Sequence, residues 1–75
     1  MSAPGDVIAP VAGLVAAVAV QVGDTVEEGD TVVLLQSMKM EIPVTADDTG
    51  TIARILVQEG QEVELGAVLA RIDRR

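Results

Sequence analysis

The sequence predicts an all-β fold built as two similar halves, and three observations lead there. Six of the seven glycines fall into one ungapped register: Gly13, Gly23 and Gly29 recur 37 positions later as Gly50, Gly60 and Gly66. Apolar residues keep the same shift, from Val15 to Ile52, Val18 to Ile55, Val20 to Val57, Val26 to Val63, Val32 to Leu69 and Leu35 to Ile72. Runs rich in Val and Ile, closed at short intervals by Gly and Asp, are strand signals, and no capped stripe of helical spacing competes with them. Turns at this spacing imply about eight short strands. A layout written twice implies two halves related by a pseudo-twofold axis.

The elements follow in order. The first half covers about residues 8–38, behind an expected flexible tail over 1–5. Gly13 opens the run Gly-Leu-Val-Ala-Ala-Val-Ala-Val, and a turn follows at Gly23-Asp24. A short segment centred on Val26 leads to a second turn at Gly29, then to an apolar strand that includes Val32 and Leu35. The second half, about residues 45–75, repeats this from Gly50 through Gly60-Gln61, Val63 and Gly66 to Ile72. Glycine at Gly23, Gly29, Gly60 and Gly66 suits turns that need positive φ. Gly13 and Gly50 open strands and instead suggest close backbone approach. Arg74 and Arg75 read as a solvated tail. The core is built of Val, Ile, Leu and Ala, which suits a thin sandwich or flattened barrel with two closely packed layers.

Composition narrows the function. With 75 residues the chain forms one small domain. It has no cysteine and no histidine, so cysteine or histidine metal sites and nucleophile–histidine catalysis have no residues to use. The formal charge is -7 and no aromatic residue is present. Such a surface repels phosphate backbones and offers no ring to stack on a base, so nucleic acid is not an expected partner. The longest uncharged stretch, Val7 to Gly23, is interrupted by Pro10 and Gly13 and is short for a membrane span. The expectation is a soluble, cytoplasmic protein. The acidic pairs Glu27-Glu28 and Asp47-Asp48 fall in predicted turns and read as solvated rather than as acid–base machinery.

The doubled pattern breaks at one place. Thr31 to Thr45 reads locally as a single strand of unusual length, with no Gly, Asn or Asp inside it. The repeat demands otherwise. Leu35 is equivalent to Ile72, which lies near the end of the second half, so the first half ends near Ser37 and a new strand starts near Met40. The chain must then turn at Met38 and Lys39, although neither is a turn former. Local rules tend to be broken where side chains are needed for something else. Lys39 is also the only lysine among five cationic residues. Met38 and Met40 would be exposed beside it, offering a flexible, polarizable surface to a partner.

The stretch Gln36-Ser37-Met38-Lys39-Met40-Glu41 resembles the attachment motif of biotin-dependent carboxylases, whose usual form is Glu-Ala-Met-Lys-Met. Gln36 and Ser37 depart from that form. The likeness extends from about Val7 to Ile72 and is greatest to short stand-alone biotinylated carriers, in which Ser before Met-Lys-Met and Glu-Ile-Pro after it also occur. The resemblance implies the biotinyl/lipoyl domain fold, a flattened barrel of two four-stranded antiparallel sheets with Lys39 at a hairpin tip. It implies biotin as a covalent cofactor on Lys39, joined by a biotin protein ligase through an activated biotinyl-adenylate. Ser37, Met38, Met40 and Glu41 would be the recognition residues. It further implies a non-catalytic carrier that moves carboxylate between a biotin carboxylase and a carboxyltransferase. Two other readings stay open at this point: a lipoyl-type acyl carrier, and an adaptor that is never modified.

Overall fold

The structure, a computed structural model, describes residues 5–74. Most of the expected tail over residues 1–5, and Arg75, lie outside the described residues. Eight strands make up the fold: β1 Asp6–Ile8, β2 Gly13–Val18, β3 Thr25–Val26, β4 Thr31–Ser37, β5 Met40–Thr45, β6 Gly50–Ile55, β7 Glu62–Val63 and β8 Val68–Arg74. They form two four-stranded antiparallel sheets, ordered β1-β8-β6-β3 and β5-β4-β2-β7.

The pseudo-twofold relates one sheet to the other. Moving 37 residues along the chain carries β2, β3 and β4 on to β6, β7 and β8, and β1 on to β5. It therefore turns the order of the first sheet into that of the second. The register agrees strand by strand: Gly13 pairs with Val63 as Gly50 pairs with Val26. Even the irregularities repeat. The β2–β4 register shifts between Val15 and Ala17, and the β6–β8 register between Ile52 and Arg54. Ala16 and Ala53 are thus the extra residues of two equivalent bulges, each of which sharpens the local twist. Each half gives strands to both sheets, so neither sheet is complete without the other half.

The two sheets close on a core without aromatic residues. Val15, Val26, Val32, Leu35, Ile52, Val63, Leu69 and Ile72 are all buried, four of the six apolar pairs matched in sequence. Val18 and Ile55 pack half-buried against them. β5, which carries Pro43, is an edge strand, where a missing N–H costs no ladder bond. The edges at β3 and β7 are only two residues long, which leaves little free backbone for unwanted pairing.

Short turns link the strands by a common device. At Gln21–Asp24, the Asp24 N–H donates to the Gln21 carbonyl at 3.0 Å. The Asp24 carboxylate accepts the Gln21 N–H in return at 2.8 Å. Asp30 does the same for Glu27, and Gln61 for Gln58. Gly23 lies third in its turn with φ of 97°, where any other residue is strained. The Asp24→Ala variant is expected to lose about 0.5–1 kcal/mol, because the exposed amide can partly replace its partner with water. Urea unfolding followed by far-UV circular dichroism checks this.

One expectation needs correction. Arg74 does not belong to a tail, because its backbone is the last position of β8 and pairs with Gly50. The repeat explains why: Arg74 is the equivalent of Ser37, which ends β4. The described ends of the chain also meet. The Ile72 N–H donates to the Gly5 carbonyl at 2.8 Å, and Asp6 pairs with Arg71 across β1 and β8. Their side chains reinforce that pairing, with Arg71 Nε 3.4 Å from Asp6 Oδ1.

Candidate functional site

The β4–β5 hairpin has no counterpart in the other half, since the shift of 37 carries it on to the chain ends. Its strands fix where it turns. Leu34 pairs with Pro43, Leu35 with Ile42, Gln36 with Glu41 and Ser37 with Met40. Val33, Leu35 and Val44 are buried. A slip of one residue would turn these buried side chains outward, so the core locks the register. Two residues are left to reverse the chain, Met38 and Lys39.

Both adopt positive φ, 51° at Met38 and 69° at Lys39, and among the described residues they are the only non-glycines that do. Two successive residues at positive φ are the mark of a type I′ hairpin turn, which matches the twist of the flanking strands and favours Asn-Gly. Side chains other than Gly, Asn or Asp cost on the order of 1 kcal/mol or more each in this region. The fold imposes the turn, but it does not ask for methionine and lysine there.

The geometry presents the lysine outward. Met38 is 92% exposed and Met40 64% exposed, and Lys39 between them is exposed too. Glu41 is exposed on β5, opposite Gln36. Ser37 is half-buried at the base of the turn, over Gly13. Gly13 is extended but cannot be enlarged. A Cβ there would lie 2.7 Å from the Gln36 carbonyl oxygen and 3.4 Å from the Ser37 Cβ. A rigid floor of close-packed backbone therefore supports the tip.

An open groove adjoins the turn, lined by Leu14, Met38, Glu62, Val63 and Glu64 among others. Leu65 follows in the β7–β8 turn and is 72% exposed. The repeat provides an internal control. Positions that serve the core, Val63 with Val26 among them, are apolar in both halves, whereas three positions at this end are not. Leu14 corresponds to Thr51, Glu62 to Thr25 and Leu65 to Glu28. On the opposite side, Thr49 Oγ1 accepts the Glu28 N–H at 3.4 Å instead. The pole that carries Lys39 thus has leucines where the other pole has Thr51 and Glu28, and Glu62 where it has Thr25.

Sequence reading placed Ser37, Met38, Lys39, Met40 and Glu41 at this site but passed over Leu14, Glu62, Glu64 and Leu65. For Leu14, Glu62 and Leu65 the signal lies in the same 37-residue register, in its exceptions rather than its matches, whereas Glu64 matches Glu27 and carries no such signal. The acidic pairs lie elsewhere. Glu27 and Glu28 follow β3, and Asp47 and Asp48 follow β5; Glu27, Glu28 and Asp47 are exposed.

Comparison with known proteins agrees with this geometry. The biotin/lipoyl family model, described as "Biotin-requiring enzyme", matches residues 1–72. The chain is 49% identical over 69 residues to the biotin-dependent acyl-coenzyme A carboxylase alpha3 subunit of Mycobacterium leprae, covering 91% of this chain but 12% of that subunit. It is 42% identical over 67 residues to the biotinylated protein TB7.3 homolog of the same organism, covering 89% of this chain and 94% of the relative. Among solved structures, a single-chain, multi-domain long-chain acyl-CoA carboxylase superposes with a TM-score of 0.88 at 34% identity. That match covers 100% of this chain and 8% of the carboxylase. The chain therefore spans a small part of the large carboxylases it matches and nearly the whole of a short biotinylated protein.

Proposed function

The chain belongs to the biotin/lipoyl attachment family and is a biotin carrier domain, and we propose that Lys39 is the residue that takes the biotin. One observation carries the assignment. The only lysine of the chain stands at the midpoint of a doubled fold, in a hairpin turn whose positive φ values its residues would not choose.

The residues present fit the group. An extended side chain on an exposed turn brings the Lys39 Nζ into an enzyme's active site without moving the barrel. Only the neutral amine is nucleophilic, so the modifying enzyme, a biotin protein ligase, must accept its proton. Nζ then attacks the activated carboxyl carbon of biotin. A C–N amide bond forms, the activating group leaves, and the domain becomes one unit more acidic than its formal charge of -7. Met38 and Met40 offer that enzyme apolar contact, and Ser37 and Glu41 fix the approach. The lipoyl alternative fits less well, because both neighbours of Lys39 are methionine.

Bound biotin supplies a ureido nitrogen that takes up carboxylate at one site and gives it up at another. The partners of this carrier are accordingly a biotin carboxylase and a carboxyltransferase. The domain itself forms no bond to substrate. It raises the local concentration of the carried group at each partner, and a stiff β scaffold does this better than a loop. Among the described residues no helix is long and apolar enough to cross a membrane. We place the carrier in the cytoplasm on its acidic charge and its lack of cysteine.

Carboxyl loading tests the reading. After treatment with a biotin protein ligase, the domain is incubated with a biotin carboxylase, ATP and labelled bicarbonate. Label is expected on the native chain and none on Lys39→Arg. Equal label on both would overturn the assignment of Lys39.

A further inference from the structure

Among the described residues, the methionines of this protein lie in one spot. The chain has no cysteine, tryptophan, tyrosine or histidine and only three methionines. One is Met1. The other two are Met38 and Met40, on either side of Lys39. Both residues are exposed, at 92% and 64%. Neither belongs to the core, which is made of Val, Leu, Ile and Ala.

We propose that Met38 and Met40 form a reversible oxidation site, at which peroxide switches off acceptance of biotin without unfolding the domain. This rests on Lys39 being the acceptor. The chemistry is a two-electron oxygen transfer. A thioether sulfur attacks one peroxide oxygen, the O–O bond breaks, the S–O bond of a sulfoxide forms, and water leaves. Methionine sulfoxide reductases reverse the step, with a separate enzyme for each sulfoxide epimer.

Oxidation of methionine usually harms a protein by placing a polar sulfoxide in its core. Here the core holds no methionine to oxidise among the described residues. The change falls on the tip instead. Met38 loses the apolar character with which it forms one wall of the groove beside Leu14 and Val63. Met40 gains a polar oxygen next to the acceptor amine in sequence. The backbone of the turn stays as it is, because its shape is fixed by the pairing of β4 with β5. The expected result is a folded domain that its ligase no longer recognises well. Burial of a methionine side chain accounts for about a tenfold or greater change in binding, so a comparable fall in the rate of biotinylation is expected.

The test uses the whole 75-residue chain. It is treated with hydrogen peroxide, freed of peroxide, and checked by mass for added oxygen at Met38 and Met40. Initial rates of biotinylation are then measured for reduced chain, oxidised chain, and oxidised chain treated with both sulfoxide reductases. The proposal expects a rate at least about tenfold lower after oxidation, recovery after reduction, and an unchanged melting temperature. A Met38→Leu/Met40→Leu chain should show the same rate with and without peroxide, whatever that rate is. The proposal is overturned if doubly oxidised chain is biotinylated as fast as reduced chain, or if oxidation unfolds it. Reduced chain that takes no biotin at all would instead refute the carrier reading, and this proposal with it.

Discussion

Replacing Met38-Lys39 with Asn-Gly is expected to stabilise the domain and to end its modification in a single step. Both native residues sit at positive φ, where their β-carbons crowd the backbone. Asn-Gly is the pair that a type I′ turn prefers. Relief of two such strains should add about 1–3 kcal/mol. For a domain of this size, that is a rise of roughly 5–20 °C in melting temperature. Far-UV circular dichroism is the suitable probe, since the chain has no aromatic residue to fluoresce. The same variant should take no biotin. Many substitutions abolish modification by damaging the fold; one that abolishes it while strengthening the fold separates the two roles. A variant less stable than the native chain would show that Met38 and Lys39 support the hairpin after all.

The Gly50→Ala variant should fail in the opposite way. Gly50 is extended, so its need is for space rather than for an unusual φ. An added Cβ would collide with the Asp73 carbonyl oxygen and lie 2.9 Å from the Ile72 Cγ2. The carbonyl belongs to β8, which is paired on both sides, and Ile72 is buried. Neither can move without disturbing a sheet. The expected cost is about 3 kcal/mol, at the upper end for an overpacked core. A chain of this length has a total stability of roughly 4–11 kcal/mol, so a large part would be lost. Urea unfolding measures it. Biotinylation of the folded fraction should persist, because Gly50 corresponds to Gly13 and lies in the half that does not carry Lys39. A loss below about 1 kcal/mol would mean that β6 and β8 can separate more easily than their packing suggests.

Much of this was legible in the sequence because the fold is written twice. Turn glycines, inward apolar residues and even the small bulge residues Ala16 and Ala53 recur in one register, and a repeat reveals long-range equivalence that local propensity cannot. The hairpin was legible by the same means, since the position of Leu35 in the repeat required a turn that Met38 and Lys39 do not advertise. Partner choice between strands was not legible. Nothing local in Asp6–Ile8 says that β1 pairs with β8, or that each half gives strands to both sheets. Such pairings depend on contacts far apart in the chain. Arg74 was misread for that reason: its strand state comes from pairing with Gly50. Leu14 and Leu65 were overlooked because an exposed leucine is unremarkable by itself. They become informative only beside Thr51 and Glu28.

The central claim is that Lys39 is the biotin acceptor, and intact-mass analysis tests it most directly. The native chain and Lys39→Arg are each incubated with a biotin protein ligase, ATP and biotin, then weighed. The account predicts the mass of one biotinyl group added to the native chain, assigned to Lys39 by fragmentation, and none added to the folded variant. No added mass on the native chain with an active ligase, or a biotinyl group on Lys39→Arg, would contradict it.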